Sequence, residues 1–136
     1  MPDYSEIYFH NRYEIDLGNA TTFSFSFQDL TEHPIFDRPF SIITAFNPEN
    51  KTYSRHENRL RNQKLYNELN SKYELLKVTG CYKEHCEESF LIFDISLSES
   101  RALGLKYAQY AIFYNGVDLL QYIECENESV IVEKVR

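Results

Sequence analysis

Thr44-Ala45-Phe46-Asn47-Pro48, followed by Ser54-Arg55-His56-Glu57-Asn58, is the stretch that decides how this chain is read. The first part ends an apolar strand, Ser41 to Asn47, because Pro48 fixes its own φ and has no N–H to give to a ladder. The second part opens a helix. Ser54 with Glu57 three residues later is a capping box, so the pattern predicts a helix from about Arg55 to Asn70. The turn between them carries more polar side chains than a plain connection needs.

Downstream, Tyr73 to Thr79 reads as a strand closed by Gly80, then Cys81 to Glu87 as a polar loop and Ser89 to Ile95 as a strongly apolar strand. A second helix is predicted from Leu97 or Ser98 to about Tyr107, weakened by Gly104. Gln109 to Tyr114 and Asp118 to Glu124 form a hairpin around Asn115-Gly116, and Val130 to Val135 adds a further strand. The order strand-helix-strand-strand-helix-strand is that of a split βαβ, or ferredoxin-like, core. The expectation is therefore an α+β single domain over 1–136, with two helices and a mixed or antiparallel sheet of five to seven strands.

Upstream, residues 1–40 read as strands and loops. Thr22 to Phe27 alternates strictly, with Phe23, Phe25 and Phe27 on one face. The strands Ser41–Asn47 and Ser89–Ile95 are apolar on both faces, whereas a sheet covered only by two helices is apolar on one. The Phe-rich segment is the candidate to cover the second face.

Composition narrows the function classes. The chain has 136 residues, enough to bury about two-thirds of its unfolded surface as one domain. Its charge of −7 disfavours extended nucleic-acid binding, although Lys51, Arg55, Arg59, Arg61 and Lys64 form a local basic spot that suits one small anion. Three cysteines do not make a disulfide framework, and Cys81, His85 and Cys86 lack the paired spacing of a zinc site, so they read as a polar loop with ordinary thiols. No leader pattern or long apolar run is visible, which predicts a cytoplasmic protein with no membrane partner. No cofactor motif is present, neither a Gly-rich phosphate loop nor a dinucleotide fingerprint.

At four points the chain resembles the bacterial domain family of unknown function 3293. These are Thr44-Ala45-Phe46-Asn47-Pro48, Glu57-Asn58 with Arg61, Glu87-Glu88-Ser89, and Gln109-Tyr110-Ala111. The likeness spans about Ser41 to Tyr114, with the early Tyr8 and Tyr13 as an outlying point. Where that family often has Trp shortly before the Glu, this chain has Tyr82-Lys83-Glu84-His85-Cys86. The resemblance implies the fold and no particular activity.

The residues themselves suggest a site at the strand–helix junction. Asn58 shares a helical stripe with Asn62, Leu65 and Leu69, so it points inward toward Asn47 and Pro48. It either braces the Asn47–Tyr53 loop or touches a ligand. The candidate ligand-binding set is Thr44, Asn47, Pro48, Asn58, Arg59, Arg61, Glu87, Ser89 and Gln109, with the arginines neutralising charge and Glu87 as the candidate catalytic group. The leading expectation is a binding or accessory module for a small polar or anionic ligand. The alternatives are an enzyme using Glu87 as general acid/base on a nucleotide-like substrate, and a protein-interaction module with a purely structural polar cluster.

Overall fold

The computed structural model describes residues 4–48 and 51–136. Among these the elements run α1 (Ser5–His10), β1 (Arg12–Gly18), β2 (Thr21–Phe25), β3 (Phe40–Ile43), α2 (Arg55–Leu69), β4 (Leu75–Tyr82), β5 (His85–Phe93), α3 (Leu97–Lys106), β6 (Ala111–Asn115), β7 (Leu119–Glu124) and β8 (Val130–Val135). All eight strands form one sheet, ordered β2-β1-β4-β5-β3-β6-β7-β8, and each neighbouring pair is antiparallel. β5 thus lies between the two strands that flank α2, and β3 between the two that flank α3.

The two central strands serve two cores because successive side chains point to opposite faces. Phe90 and Ile92 of β5 join Ile43 of β3 and Leu65 and Leu69 of α2 on the helical face. Leu91 and Phe93 join Phe40 and Ile42 on the other face, among the aromatic rings of the amino-terminal third. The sheet curls until strands remote in its order meet across this second face. Tyr13 of β1 lies 6.3 Å from Tyr122 of β7, and Phe27 lies 5.3 Å from it, centroid to centroid. Lys134 Nζ of β8 donates to the Phe27 carbonyl at 2.8 Å, pinning the curl at its open side. Each buried ring contributes ~1.5–3 kcal/mol of burial. The high aromatic content therefore holds the sheet closed.

Several expectations are corrected. The first forty residues contain a helix, α1, besides strands, giving three helices and eight strands among the described residues. β3 ends at Ile43 rather than Asn47, because the Thr44 hydroxyl accepts from Phe46 N at 3.0 Å and donates to the Glu88 carbonyl, turning the chain out of the ladder. The polar loop expected from Cys81 to Glu87 is instead strand on both sides of a two-residue turn, with Tyr82 opposite His85. Cys81 and Cys86 sit opposite each other there and form a disulfide, so they are not ordinary free thiols. Gly80 does not close β4. It sits within the strand where a Cβ would meet the Tyr13 ring at 3.0 Å, so its role is close approach rather than a turn.

Gly104 has a similar role in α3. A Cβ there would lie 2.3 Å from Cys125 Sγ and 3.1 Å from Ile112 Cγ2, so the glycine lets the helix seat on the sheet. Gly104→Ala should lower stability in urea denaturation by ~1–3 kcal/mol through overpacking, against the ~1 kcal/mol gain that helix propensity alone would give. Combining it with Cys125→Ala should recover part of the loss. A stabilised single variant would refute this packing account.

Candidate functional site

The chain leaves β3 under the control of two asparagines on the inward stripe of α2. Asn58 and Asn62 are buried, 4% and 5% exposed, in line with Leu65 and Leu69. Asn62 accepts from Ala45 N at 3.0 Å and donates to the Glu88 carbonyl at 3.1 Å, joining the departing strand, α2 and β5. Asn58 Oδ1 accepts from Asn47 N at 2.8 Å, and its Nδ2 donates to Asn47 Oδ1 at 2.9 Å. Tyr53 N also donates to Asn47 Oδ1, at 3.0 Å. Asn47 has φ 46°, a left-handed conformation that Asn tolerates better than most side chains. Asn58 is thus fully engaged with the loop beginning at Asn47. Glu49 and Asn50 of that loop lie outside the described residues.

One contact leads from this brace to a cavity. Asn47 Nδ2 donates to Glu87 Oε2 at 2.8 Å, and both residues line a space of about 370 Å³ on the aromatic face of the sheet. Ile42, Tyr13, Phe113 and Tyr122 supply its apolar side. The β4–β5 hairpin contributes Gly80, Tyr82, His85, Glu87 and Ser89, and the opposite side carries Thr44, Phe46, Gln109 and Ala111. From α1 and its N-cap come Ile7, Tyr8 and Tyr4, with the Tyr8 ring 4.5 Å from that of Tyr122 and Tyr4 4.7 Å from Tyr110. Asn11, just after α1, donates to the Tyr122 hydroxyl at 3.1 Å.

The electrostatics of this space are one-sided. Burial pushes the Glu87 carboxyl above its ordinary value, and the opposing pull of the Asn47 hydrogen bond and of His85 is smaller. Burial likewise raises the Tyr8, Tyr13 and Tyr122 phenols, so all three stay protonated and able to donate. Among the described residues, no Lys or Arg lines the cavity. No group of three or more His, Cys, Asp or Glu side chains converges as a metal site among them.

Of the residues chosen from sequence, Thr44, Asn47, Glu87, Ser89 and Gln109 come together around the cavity. Gln109 Nε2 also holds the Phe46 carbonyl at 2.9 Å. Pro48 is buried outside that set. Asn58 is not among the cavity's lining residues and borders a second groove with Arg55 and Tyr53, one that Asn47 and Glu87 also line. The two arginines are not where a charge-neutralising role needs them. Arg61 is drawn to backbone carbonyls, Ala45 O at 3.0 Å and Tyr107 O at 2.9 Å, and ties α2 to the end of α3. Arg59 lies on the helical face, 3.9 Å from Glu88, because Glu88 and Glu87 alternate across β5. Sequence reasoning missed Asn11 and Tyr122, whose contexts gave no motif, and noted Tyr82 and His85 only in the stretch that stands where the family often has Trp and, for His85, as a rejected zinc ligand. Tyr8 and Tyr13 had surfaced only as an outlying likeness.

Fold and cavity together define a small α+β domain on one curled antiparallel sheet, with a tyrosine-lined hollow beside a braced strand exit. The family described as "Protein of unknown function (DUF3293)" matches residues 43–112, just over half of the chain, and the chain belongs to it. The matched span includes the asparagine brace and Glu87, but not Tyr8, Tyr13 or Tyr122. No curated protein and no solved structure matches the chain.

Two outcomes follow. Asn58→Ala strands Asn47 N and removes one of the two partners of Asn47 Oδ1, and should cost ~1–3 kcal/mol in chemical denaturation. A change near zero would mean that Asn58 does not hold the loop. For Glu87 the sign runs against the usual carboxylate. Its folded pKa lies above the ordinary 4.5, so its charge opposes folding, and stability falls as pH rises from 4.5 through the raised value. Gln at this position can still accept from Asn47. Glu87→Gln should therefore melt higher than the parent at pH 7.5, with the gap closing below pH 4.5. A variant that melts lower at pH 7.5 contradicts the burial argument.

Proposed function

We propose that this chain is a small-ligand binding module whose site is the cavity beside α1, with Thr44, Asn47, Glu87, Ser89 and Gln109 as its polar contacts. The reading is carried by one observation, a hollow of about 370 Å³ in which hydrogen-bonding groups from the chain leaving β3, the β4–β5 hairpin and the segment before β6 meet aromatic walls. Binding sites have this character, mostly apolar with a few placed polar groups. Asn58 acts from behind, by fixing Asn47. We read the four strands β4-β5-β3-β6 as a split βαβ core, a reading supported by their order and by the two helices sharing one apolar core. A bacterial, cytoplasmic setting belongs to the same proposal. It requires the Cys81–Cys86 bridge to be dispensable there, since a reducing compartment opens such bonds while leaving the hairpin register in place.

A second reading, an enzyme in which Glu87 moves a proton, draws support from the burial that raises its carboxyl above its ordinary value. The anionic form of the ligand, including a nucleotide phosphate, has no Lys or Arg counter-charge among the described lining residues. The interaction-module alternative is supported only by the Asn47–Asn58 brace, which stands equally well beneath a binding site.

The binding reading is tested by a thermal-shift screen of the full chain against metabolite-sized probes, repeated on Ala111→Phe, which fills the cavity from the end of β6, and on Arg59→Ala. Probes that raise the parent's melting point should lose that effect in Ala111→Phe, checked for fold by circular dichroism, and keep it in Arg59→Ala. Shifts that survive Ala111→Phe would place binding elsewhere.

A further inference from the structure

Glu87 is a half-buried carboxylate whose charge is not matched by its surroundings. Asn47 Nδ2 donates to Oε2. Among the described residues no donor reaches Oε1 within hydrogen-bond distance, and no Lys or Arg forms an ion pair with Glu87. Arg55 lies across the Asn47–Glu87 contact, in the outer groove. His85, on the hairpin, is the one neighbour whose positive form favours the carboxylate. Leaving a carboxylate partly dehydrated without a cation is costly, and proteins normally pair such a group or expose it. Here the missing partner has room, because the space beside Glu87 is about 370 Å³.

The walls of that space complement a cation as well. Tyr4, Tyr8, Tyr13, Tyr82, Tyr110 and Tyr122 all contribute to its lining. Aromatic faces attract ammonium groups by ~0.5–2 kcal/mol. Glu87 is the only carboxylate among the described lining residues. The net charge of −7 favours approach of cations over anions.

From the uncompensated Glu87 carboxylate facing a tyrosine-lined hollow, we infer that the ligand of this site is an organic ammonium ion, an amine carried on a small apolar or aromatic body. The ammonium pairs with Glu87 beside Asn47, and the body lies against Ile42, Tyr13 and Phe113. This assignment rests on the reading of the cavity as a binding site and adds the charge of what enters it.

The test is isothermal titration of the full chain at pH 7.5 with three probes of one shape, benzylamine, benzyl alcohol and benzoate. Benzylamine should bind about tenfold or more tighter than benzyl alcohol, a difference of about 1.4 kcal/mol, and benzoate should bind weakest. Glu87→Gln should erase the preference for benzylamine over benzyl alcohol, with the melting curve reporting that the variant is folded. Benzoate binding as well as benzylamine, or a preference that survives Glu87→Gln, overturns the ammonium assignment. If all three probes bind alike and all are lost in Ala111→Phe, the cavity stands as a site and only the charge assignment falls. If no probe binds in a manner sensitive to Ala111→Phe, both fall.

Discussion

The strand exit after Ile43 depends on one constraint, the pairing of Asn47 with Asn58. The backbone N–H of Asn47 has left the ladder and is enclosed, so it must find a partner or carry a desolvation penalty. The first turn of α2 supplies that partner through Asn58 Oδ1, and the two side-chain amides close on each other. With Asn47 fixed on both sides, its side-chain NH2 is turned across to Glu87. A hydrogen bond that answers a folding requirement thus also orients a carboxylate on the opposite face of the sheet. Asn62 repeats the device one turn later with Ala45, which makes the exit a double clamp.

The curl of the sheet gives that orientated carboxylate its surroundings. In a flat sheet β1 and β7 would stand five positions apart, and Glu87 would face water. Rings drawn from both ends of the sheet close the concave face instead, and α1 lays Tyr4 and Tyr8 beside the hollow that remains. The closure explains why burial dominates the chemistry of Glu87 and of the three inner phenols. It also explains why a chain so rich in Phe and Tyr keeps an unfilled volume. Among the described residues Glu87 keeps a single hydrogen bond, the one from Asn47.

Much of the cluster around Glu87 was readable in the sequence, and the parts that were not share a cause. The capping box at Ser54 and Glu57 is present as read, and the stripe Asn58, Asn62, Leu65, Leu69 is buried as helical geometry requires. Antiparallel pairing of Ser89–Ile95 with the first central strand was enough to bring Glu87 to Asn47. The arginines misled because a helical wheel gives direction but not partner. Arg61 found two carbonyls exposed by the ends of other elements, which no local pattern announces. The β4–β5 hairpin misled because Gly80 looks like punctuation, and only the ring of Tyr13 from another strand shows why a glycine stands there.

Local physics, written in neighbouring residues, determined the central strands, the start of α2, the inward amides and the membership of Glu87 and Asn47 in one cluster. Period, capping and the steric limits of proline act over a few residues, so a single chain displays them. Tertiary structure alone decided that the sheet has eight strands and curls, that Cys81 faces Cys86, and that six tyrosines from five separate segments surround one acid. Those outcomes depend on which distant surfaces meet, and the free energy that selects them is gained only when apolar faces far apart in the chain are buried together.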